Sequence, residues 1–164
     1  MVDNDAVTTS ENGLEVVISR FYDAPARLLF EAYSKPEHIK RFFGPIPYPV
    51  TSAEMDFRVG GTFRFQMTGP DGELGTPFGG TYLEIVPHER IVYDNGFLVP
   101  GAEKMVVTLL FEERGGRTLH TNRTVFASEE MRRIHVGGGY VEGTSLGLEQ
   151  LEEYLRKWPA PAQG

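Results

Sequence analysis

The stretch Asp56-Phe57-Arg58-Val59-Gly60-Gly61-Thr62-Phe63-Arg64-Phe65 decides the fold class of this chain. Two runs of strand-forming residues flank a glycine pair. Glycine takes positive φ without a clash at Cβ, so the chain can reverse there within a few residues. Beyond the reversal, Phe63, Phe65 and Met67 alternate with polar residues, the period-two pattern of a strand with one buried face. The stretch therefore predicts an antiparallel hairpin with one face toward a core.

Strand-like segments continue on both sides of this hairpin. They are rich in β-branched and aromatic residues and are bounded by turns that contain glycine, proline or aspartate. The pattern predicts a meander of antiparallel strands in a curved sheet. The seven predicted strands are residues 14–22, 50–57, 62–67, 81–86, 91–97, 105–112 and 118–126.

Three helices are indicated around the sheet. Asp23-Ala24-Pro25 opens the first, because the first turn of a helix leaves unpaired the backbone donor that proline lacks. Pro36 begins a second short helix, which Gly44-Pro45 stops. Between residues 141 and 155, apolar residues recur at spacings of seven, three and four, which predicts a long amphipathic helix over the sheet. The architecture is therefore α+β.

Length and composition fit one globular domain. The chain has 164 residues, of which 40% are hydrophobic and 24% charged. Residues 14–158 are predicted to form the domain, with flexible tails over residues 1–13 and 159–164. The formal net charge of −7 disfavours nucleic acid as a partner. The polar beginning is no signal peptide and no apolar run is long enough to span a bilayer, so we expect a cytoplasmic protein without membrane insertion.

Four motifs follow one another along the chain. They are Ser19-Arg20-Phe21-Tyr22-Asp23-Ala24-Pro25, Pro36-Glu37-His38-Ile39-Lys40-Arg41-Phe42-Phe43-Gly44-Pro45, Met55-Asp56-Phe57-Arg58-Val59-Gly60-Gly61 and Gly80-Thr81-Tyr82-Leu83-Glu84-Ile85. In this order they resemble the bacterial branch of the activator of Hsp90 ATPase homologue (AHSA1-type) domains, within the START, Bet v 1 and polyketide cyclase (SRPBCC) superfamily. The resemblance covers about residues 14–158. It implies a helix-grip fold, in which a long C-terminal helix lies across a curved sheet of about six to seven strands and a cavity between them often holds a small hydrophobic ligand.

The sequence departs from the family pattern in two places. Phe42-Phe43 stands where the family usually has an aromatic pair rich in tryptophan, and Gly143-Thr144 where a Gly-Trp pair commonly opens the last helix. The missing indole is expected to widen or reshape the cavity mouth. Gly137-Gly138-Gly139, just before this helix, lowers helix propensity. The three glycines leave two interpretations, a gate over the cavity or an irregular connection.

The candidate ligand-binding residues are those expected to face the cavity. Alternation places Val107 and Leu109 on the inner face of one strand and Arg123 on the inner face of the next. Arg123 is then a buried cation, either paired with Asp94 or Glu84 or acting as a clamp for a ligand carboxylate. The complete predicted lining is Phe42, Phe43, Phe63, Phe65, Tyr82, Tyr93, Val107, Leu109, Arg123, Tyr140, Thr144 and Leu148.

The sequence contains no recognisable catalytic or metal-binding set. Residues 143–147 match the G-x-S-x-G nucleophile pattern, but no histidine follows Ser145. The four histidines lack metal-ligand spacing, and there is no cysteine, so no metal or cofactor is predicted. Isolated acid–base groups remain, and these are Arg123, Asp94, Tyr82 and His120.

Three classes of function stay open. The lack of a catalytic set favours binding of a small hydrophobic molecule, namely a lipid, polyketide or aromatic metabolite. The alternative is a cyclase- or isomerase-type enzyme acting in the same cavity. The family name implies a third class, a stress-related co-chaperone of Hsp90. In eukaryotic members that role is associated with an additional N-terminal domain, and 13 residues precede the first predicted strand here, so an Hsp90 interaction is not expected. A homodimer through a sheet edge or the phenylalanine-rich second helix also stays open.

Overall fold

One antiparallel sheet forms the body of the protein in the computed structural model, which describes residues 8–158 and the side chains of residues 12–158. Its eight strands are β1 (Thr8–Asn12), β2 (Glu15–Tyr22), β3 (Val50–Met55), β4 (Thr62–Met67), β5 (Phe78–Val86), β6 (Arg90–Phe97), β7 (Met105–Arg114) and β8 (Arg117–Val125). Their order across the sheet is β1-β2-β8-β7-β6-β5-β4-β3. From β3 to β8, chain neighbours are therefore also sheet neighbours, as the predicted meander requires.

Four helices accompany the sheet within the described residues. Between β2 and β3 lie α1 (Ala26–Ser34) and α2 (Pro36–Phe42), and after β8 lie α3 (Glu129–Gly137) and α4 (Tyr140–Arg156). Pro25 is the N-cap of α1 and Pro36 the first residue of α2, where proline suits a helix start. Because α4 packs against α2, α3 and β2, the predicted helix-grip fold is confirmed. No helix among the described residues is long and apolar enough to cross a bilayer.

The turn between β3 and β4 uses its two glycines in different ways. Gly60 has a φ of +86°, a conformation that strains any residue with a Cβ atom. At Gly61, a Cβ atom would stand 2.0 Å from the carbonyl oxygen of Asp56, so only glycine permits this close approach. The two strands pair on either side of the turn. The predicted reversal is confirmed, although only one of the glycines provides positive φ.

The first strand of the sheet lies in a segment that the sequence assigned to a flexible tail. Residues 8–12 form β1 and pair with β2, so the predicted tail boundary at residue 13 is wrong for these residues. A polar segment can form an edge strand because backbone hydrogen bonds to its neighbour hold it and no apolar face is required. Gly13, with a φ of +62°, makes the turn into β2. Residues 1–7 and the predicted tail over residues 159–164 lie outside the described residues.

Helix α3 is a second element that the sequence pattern did not predict. It is polar, and Met131 is its only buried residue, so few apolar residues mark it in the sequence. The Ser128 side chain caps it by accepting a hydrogen bond from the Met131 backbone N–H at 3.0 Å. Gly138 is the C-cap of α3, and Gly139, with a φ of +102°, is the N-cap of α4. The glycine run is therefore a junction between two helices rather than an irregular connection.

The core fills the space between one sheet face and the helices. On β7, Val107, Leu109 and Phe111 are buried, as alternation predicts for that strand. Leu29 of α1 and Leu151 of α4 are both fully buried on the helical side. Burial of an aliphatic side chain of this size contributes about 2 kcal/mol. The core is therefore built on β7 and the apolar faces of the covering helices.

Candidate functional site

Two adjacent chambers lie between the sheet and the helices. The inner chamber, of about 230 Å³, lies under α2 and the first half of α4, and the outer chamber, of about 350 Å³, lies beside α3 and the β4–β5 loop. Met67, Phe78, Asn95 and Tyr140 line both chambers and form the wall that they share. Small-molecule sites typically occupy roughly 300–1,000 Å³, so the outer chamber is within this range and the inner chamber is just below it.

Side chains from the sheet and from α1, α2, α3 and α4 line these chambers. The inner chamber is otherwise lined by Tyr33, Phe42, Phe43, Pro45, Tyr93, Val107, Asn122, Gly139, Gly143, Thr144, Gly147 and Leu148. The outer chamber is otherwise lined by Tyr48, Gly69, Glu73, Gly75, Thr76, Gly96, Phe97, Glu103, Met105, Met131 and His135. Aromatic and aliphatic residues thus dominate the inner wall, and charged residues occur at the outer chamber.

Small residues on the first half of α4 keep the inner chamber open. Gly143, Thr144 and Gly147 fall on one helix face at spacings of one, three and four residues and all line the chamber. A Cβ atom at Gly143 would have Pro45 Cγ as its nearest contact, at 3.6 Å. At Gly147 it would stand 3.3 Å from the carbonyl oxygen of Phe43. Gly143 therefore leaves volume to the chamber, whereas Gly147 allows close packing of α4 on the end of α2.

Gln150 fixes the segment after α2 against α4. Its Nε2 donates to the carbonyl oxygens of Phe42 and Gly44 at 2.9 and 2.8 Å, and its Oε1 accepts from the Ile46 N–H at 2.9 Å. One side chain thus pairs three backbone groups of an irregular segment. These bonds position Phe42 and Pro45 in the chamber wall. Sequence reasoning missed Gln150 because its partners are more than a hundred residues away.

Uncharged polar groups interrupt the apolar wall of the inner chamber. The Tyr140 hydroxyl lies 2.6 Å from Thr124 Oγ1, which donates to Asn122 Oδ1 at 3.3 Å. Asn95 Oδ1 is buried and has no hydrogen-bond partner among the described residues. Burial raises the pKa of Tyr93 well above its ordinary value and also raises the pKa of Tyr140, so both phenols stay protonated at neutral pH. The inner wall offers hydrogen bonds without carrying charge.

Charge is confined to the outer chamber. Among the described residues, no aspartate, glutamate, lysine, arginine or histidine lines the inner chamber. The outer chamber has Glu73, Glu103 and His135 in its wall. Burial lowers the pKa of His135, whose ring stacks on Phe126 and Phe97 at centroid distances of 5.5 and 6.2 Å. Because the charged side chains there are glutamates, the outer chamber accommodates a cationic end of a ligand better than an anionic one.

A buried tyrosine–histidine pair lies at the wall of the inner chamber. Tyr33 Oη is 2.8 Å from His120 Nε2, and His120 Nδ1 is 3.0 Å from the carbonyl oxygen of Leu110. Because a carbonyl oxygen only accepts, Nδ1 carries the proton and Tyr33 donates to Nε2. Burial lowers the pKa of His120 to about 4 and raises that of Tyr33 well above its ordinary value. The pair is therefore neutral at neutral pH, with both imidazole nitrogens hydrogen-bonded.

The buried cation on the inner sheet face is Arg20, so the predicted inward orientation of Arg123 is wrong. The Arg123 side chain is 51% exposed and pairs with Glu15 on the outer face. Arg20 is 10% exposed and pairs with Glu152 of α4. The alternation of Val16, Ile18, Arg20 and Tyr22 along β2 is the sequence signal that could have identified Arg20.

The error for Arg123 comes from the alternation on β8, where the inner face carries only polar residues and the apolar Leu119 and Val125 lie on the outer face. The polar inner residues are satisfied by distant groups, as when Thr118 Oγ1 donates to the Ala24 carbonyl oxygen at 2.6 Å. The predicted partners of Arg123 are bonded elsewhere: Asp94 accepts from the Thr81 N–H, and Glu84 pairs with Arg90. The inner residues of β8 are Thr118, His120, Asn122 and Thr124, one position out of phase with the prediction.

The predicted lining residues fall into three groups. Arg123 lies outside the cavity. Four residues, Phe63, Phe65, Tyr82 and Leu109, surround a void of about 20 Å³, which is too small for an organic ligand. The remaining seven line the inner chamber, and their contact with a ligand stays a prediction. They are Phe42, Phe43, Tyr93, Val107, Tyr140, Thr144 and Leu148.

The prediction missed two asparagines and, apart from Tyr140, the lining of the outer chamber. Alternation on β6 places Tyr93 inside and could have identified Asn95 two residues further on. To identify Asn122, the prediction would have needed to know which face of β8 points inward. Among the described residues, no group of three or more histidine, aspartate or glutamate side chains is placed to hold a metal ion.

A comparison with protein families identifies the fold family. The family model described as "Activator of Hsp90 ATPase homolog 1-like protein" matches residues 23–156. The chain belongs to this family. The family's helix-grip fold is generally a ligand-binding fold, and the cavity lies where this fold places it, between the sheet and the last helix. Among the curated proteins, none matches the chain.

Solved structures of bacterial proteins share the fold over nearly the whole chain. A protein from Arthrobacter aurescens is 25% identical with a TM-score of 0.83, and the match covers 93% of this chain and 92% of that one. A protein from Nitrosomonas europaea is 25% identical with a TM-score of 0.79, and the match covers 90% of this chain and 97% of that one. A protein from Rhizobium leguminosarum is 28% identical with a TM-score of 0.67, and the match covers 92% of this chain and 99% of that one. The overall fold is therefore shared with these bacterial proteins.

Proposed function

We propose that the protein binds a small hydrophobic molecule, a lipid, polyketide or aromatic metabolite, in the two-chambered cavity and acts in the cytoplasm. The observation that carries this proposal is the pair of adjacent chambers of about 230 and 350 Å³, the first of them beside small residues of α4. Protein interiors are close-packed, and an empty space of this size forfeits the dispersion contacts of its walls. A ligand that fills the space restores those contacts.

A cyclase- or isomerase-type enzyme acting in the same cavity is the alternative. General acid–base catalysis works best when a group titrates near the operating pH. The pKa of His120 is about 4, and burial raises the pKa values of Tyr33 and Tyr93 well above the ordinary value. These directions support binding over acid–base turnover.

Co-chaperone action on Hsp90 is the second alternative, and it rests on the family name alone. It needs a protein-binding surface and makes no use of an internal cavity. An ATPase assay with a bacterial Hsp90 tests it, and we expect no stimulation. If a variant whose cavity is filled by a larger side chain still stimulated the Hsp90 ATPase, this alternative would be favoured over ligand binding.

The test of the binding proposal combines native mass spectrometry with a thermal-shift screen of lipophilic compounds. Thr144→Trp fills the inner chamber, and Glu142→Trp is the matched control because Glu142 is exposed on the same helix. We expect wild type and the control to bind the same compounds and Thr144→Trp to bind them at least about tenfold more weakly. An absence of bound mass and of thermal shifts in wild type would overturn the proposal.

A further inference from the structure

The polar groups of the inner chamber restrict the chemistry of the ligand. The wall has no charged side chain among the described residues, yet it includes two asparagines, Asn95 and Asn122. A buried amide without a partner costs free energy, because it has lost hydrogen bonds to water. The unpaired Asn95 Oδ1 is such a group. A ligand that satisfies it gains from this pairing in addition to apolar burial.

We propose that the ligand is an uncharged molecule that carries a hydroxyl group, and that this hydroxyl bonds to Asn95 where the two chambers meet. The inference rests on the binding function proposed above and specifies its ligand. Asn95 Oδ1 is buried in the present rotamer, and rotation about χ2, which is soft for asparagine, is the movement that brings it to a ligand. A hydroxyl both donates and accepts, so it can pair with either end of that amide.

The strand register separates Asn95 from Asn122. Asn95 is opposite Met105 on β7, whereas Asn122 is opposite Leu109 on the other side of β7. The two asparagines are thus two strands apart and four residues apart along the strand direction. With about 4.8 Å between strands and about 3.3 Å per residue, their backbones are roughly 15 Å apart. One hydroxyl therefore reaches only one of the two amides.

Existing hydrogen bonds favour Asn95 over Asn122 as the anchor. Asn122 Oδ1 already accepts from Thr124, which in turn is bonded to Tyr140. Asn95 Oδ1 has no corresponding donor among the described residues. Asn95 also lines both chambers, so a ligand in either one passes beside it.

A carboxylate in the inner chamber lacks a counter-charge. Arg20 is committed to Glu152 under α4, and Arg123 lies on the outer sheet face with Glu15. An ionised carboxylate that leaves water without a cationic partner pays a large desolvation penalty. The chamber therefore selects against fatty-acid-like anions with the carboxylate innermost and favours neutral alcohols and phenols.

Three probes with one ring system test this inference, namely naphthalene, 2-naphthol and 2-naphthoate at pH 7. Titration calorimetry with wild type is expected to show 2-naphthol binding about tenfold more tightly than naphthalene, as one additional hydrogen bond to a buried group implies. We expect 2-naphthoate to bind at least about 100-fold more weakly than 2-naphthol. These comparisons need no variant and so do not depend on the folding of a mutant.

Two variants then locate the anchor. Asn95→Leu, close in size and unable to form hydrogen bonds, should abolish the preference for 2-naphthol over naphthalene. Asn122→Leu is the matched control and should retain it. Loss of the preference only in Asn122→Leu overturns the assignment of Asn95.

The ligand chemistry and the binding function fail in different ways. Equal binding of 2-naphthol and naphthalene, tighter binding of 2-naphthoate, or binding of none of the three overturns the inference. The binding function is judged separately by the lipophilic screen, because compounds of other shapes still shift the melting temperature if only the ligand chemistry is wrong. No shift with any compound overturns both.

Discussion

The two halves of α4 cover different kinds of interior. In the first half, Gly143, Thr144 and Gly147 face a chamber of about 230 Å³. In the second half, Leu151 is fully buried in the core. The Tyr154 hydroxyl is hydrogen-bonded to His38 Nδ1 at 2.7 Å. One continuous helix thus leaves space at one end and fills it at the other. The presence of a cavity depends on side-chain size along the helix rather than on a break in the backbone.

The junction between the halves is fixed by a hydrogen bond through the core. Tyr22 Oη donates to the backbone carbonyl oxygen of Leu148 at 2.9 Å, and one turn later Arg20 pairs with Glu152. Both contacts join α4 to β2. The second half is therefore anchored to the sheet by polar as well as apolar contacts, which lets the first half span the cavity without collapsing onto it.

Truncation of the packed half should have the largest effect. Leu151→Ala removes a fully buried side chain, and such changes cost about 3 kcal/mol through lost burial and a new cavity. Urea unfolding measures the loss of free energy of unfolding. Glu153→Ala, on the exposed face of the same helix, should change it by less than about 0.5 kcal/mol. Equal effects of the two substitutions would contradict the contrast between the halves.

Acidification should destabilise the folded protein through the buried His120. Its pKa is about 4 in the folded protein, against about 6.5 when unfolded, so the unfolded state binds more protons between these values. The contribution of His120 to the free energy of unfolding is therefore at its maximum above pH 6.5. It falls with decreasing pH, by roughly 2 kcal/mol between pH 7 and pH 5.

Urea unfolding of His120→Gln at both pH values checks this assignment. The variant should lose most of that pH dependence but not all, because burial also lowers the pKa values of His38 and His135. His88→Gln, in the exposed turn between β5 and β6, should behave like wild type. An unchanged pH dependence in His120→Gln would show that this histidine does not titrate as a buried neutral base.

A methyl group added to the open half should have the smallest effect and the opposite sign. Gly143→Ala replaces a helix-interior glycine where the new Cβ meets Pro45 Cγ at an ordinary 3.6 Å, so we expect a gain of about 1 kcal/mol in free energy of unfolding. Gly147→Ala places its Cβ 3.3 Å from the Phe43 carbonyl oxygen and should gain less. Thermal unfolding of both variants ranks them. A loss at Gly143 would mean that the first half is as tightly packed as the second.

Local signals in the sequence predicted most of the fold. Pro25 and Pro36 begin helices because proline suits a first turn, and the hairpin at Gly60 and Gly61 forms because only glycine fits both positions. Elements without such signals were missed. Strand β1 is polar and is held by its neighbour's backbone, and α3 buries only Met131.

The sequence by itself determined the order of ten of the twelve described elements, the antiparallel sheet, the covering helix and the family, because these depend on periodicity and on turn and cap residues close together in the chain. Only the tertiary structure decided which side chains face the cavity. On β8 the inner face carries polar residues, and whether a polar residue can be buried depends on partners such as Tyr33 for His120. Those partners lie on other elements, so the alternation alone could not distinguish Asn122 from Arg123.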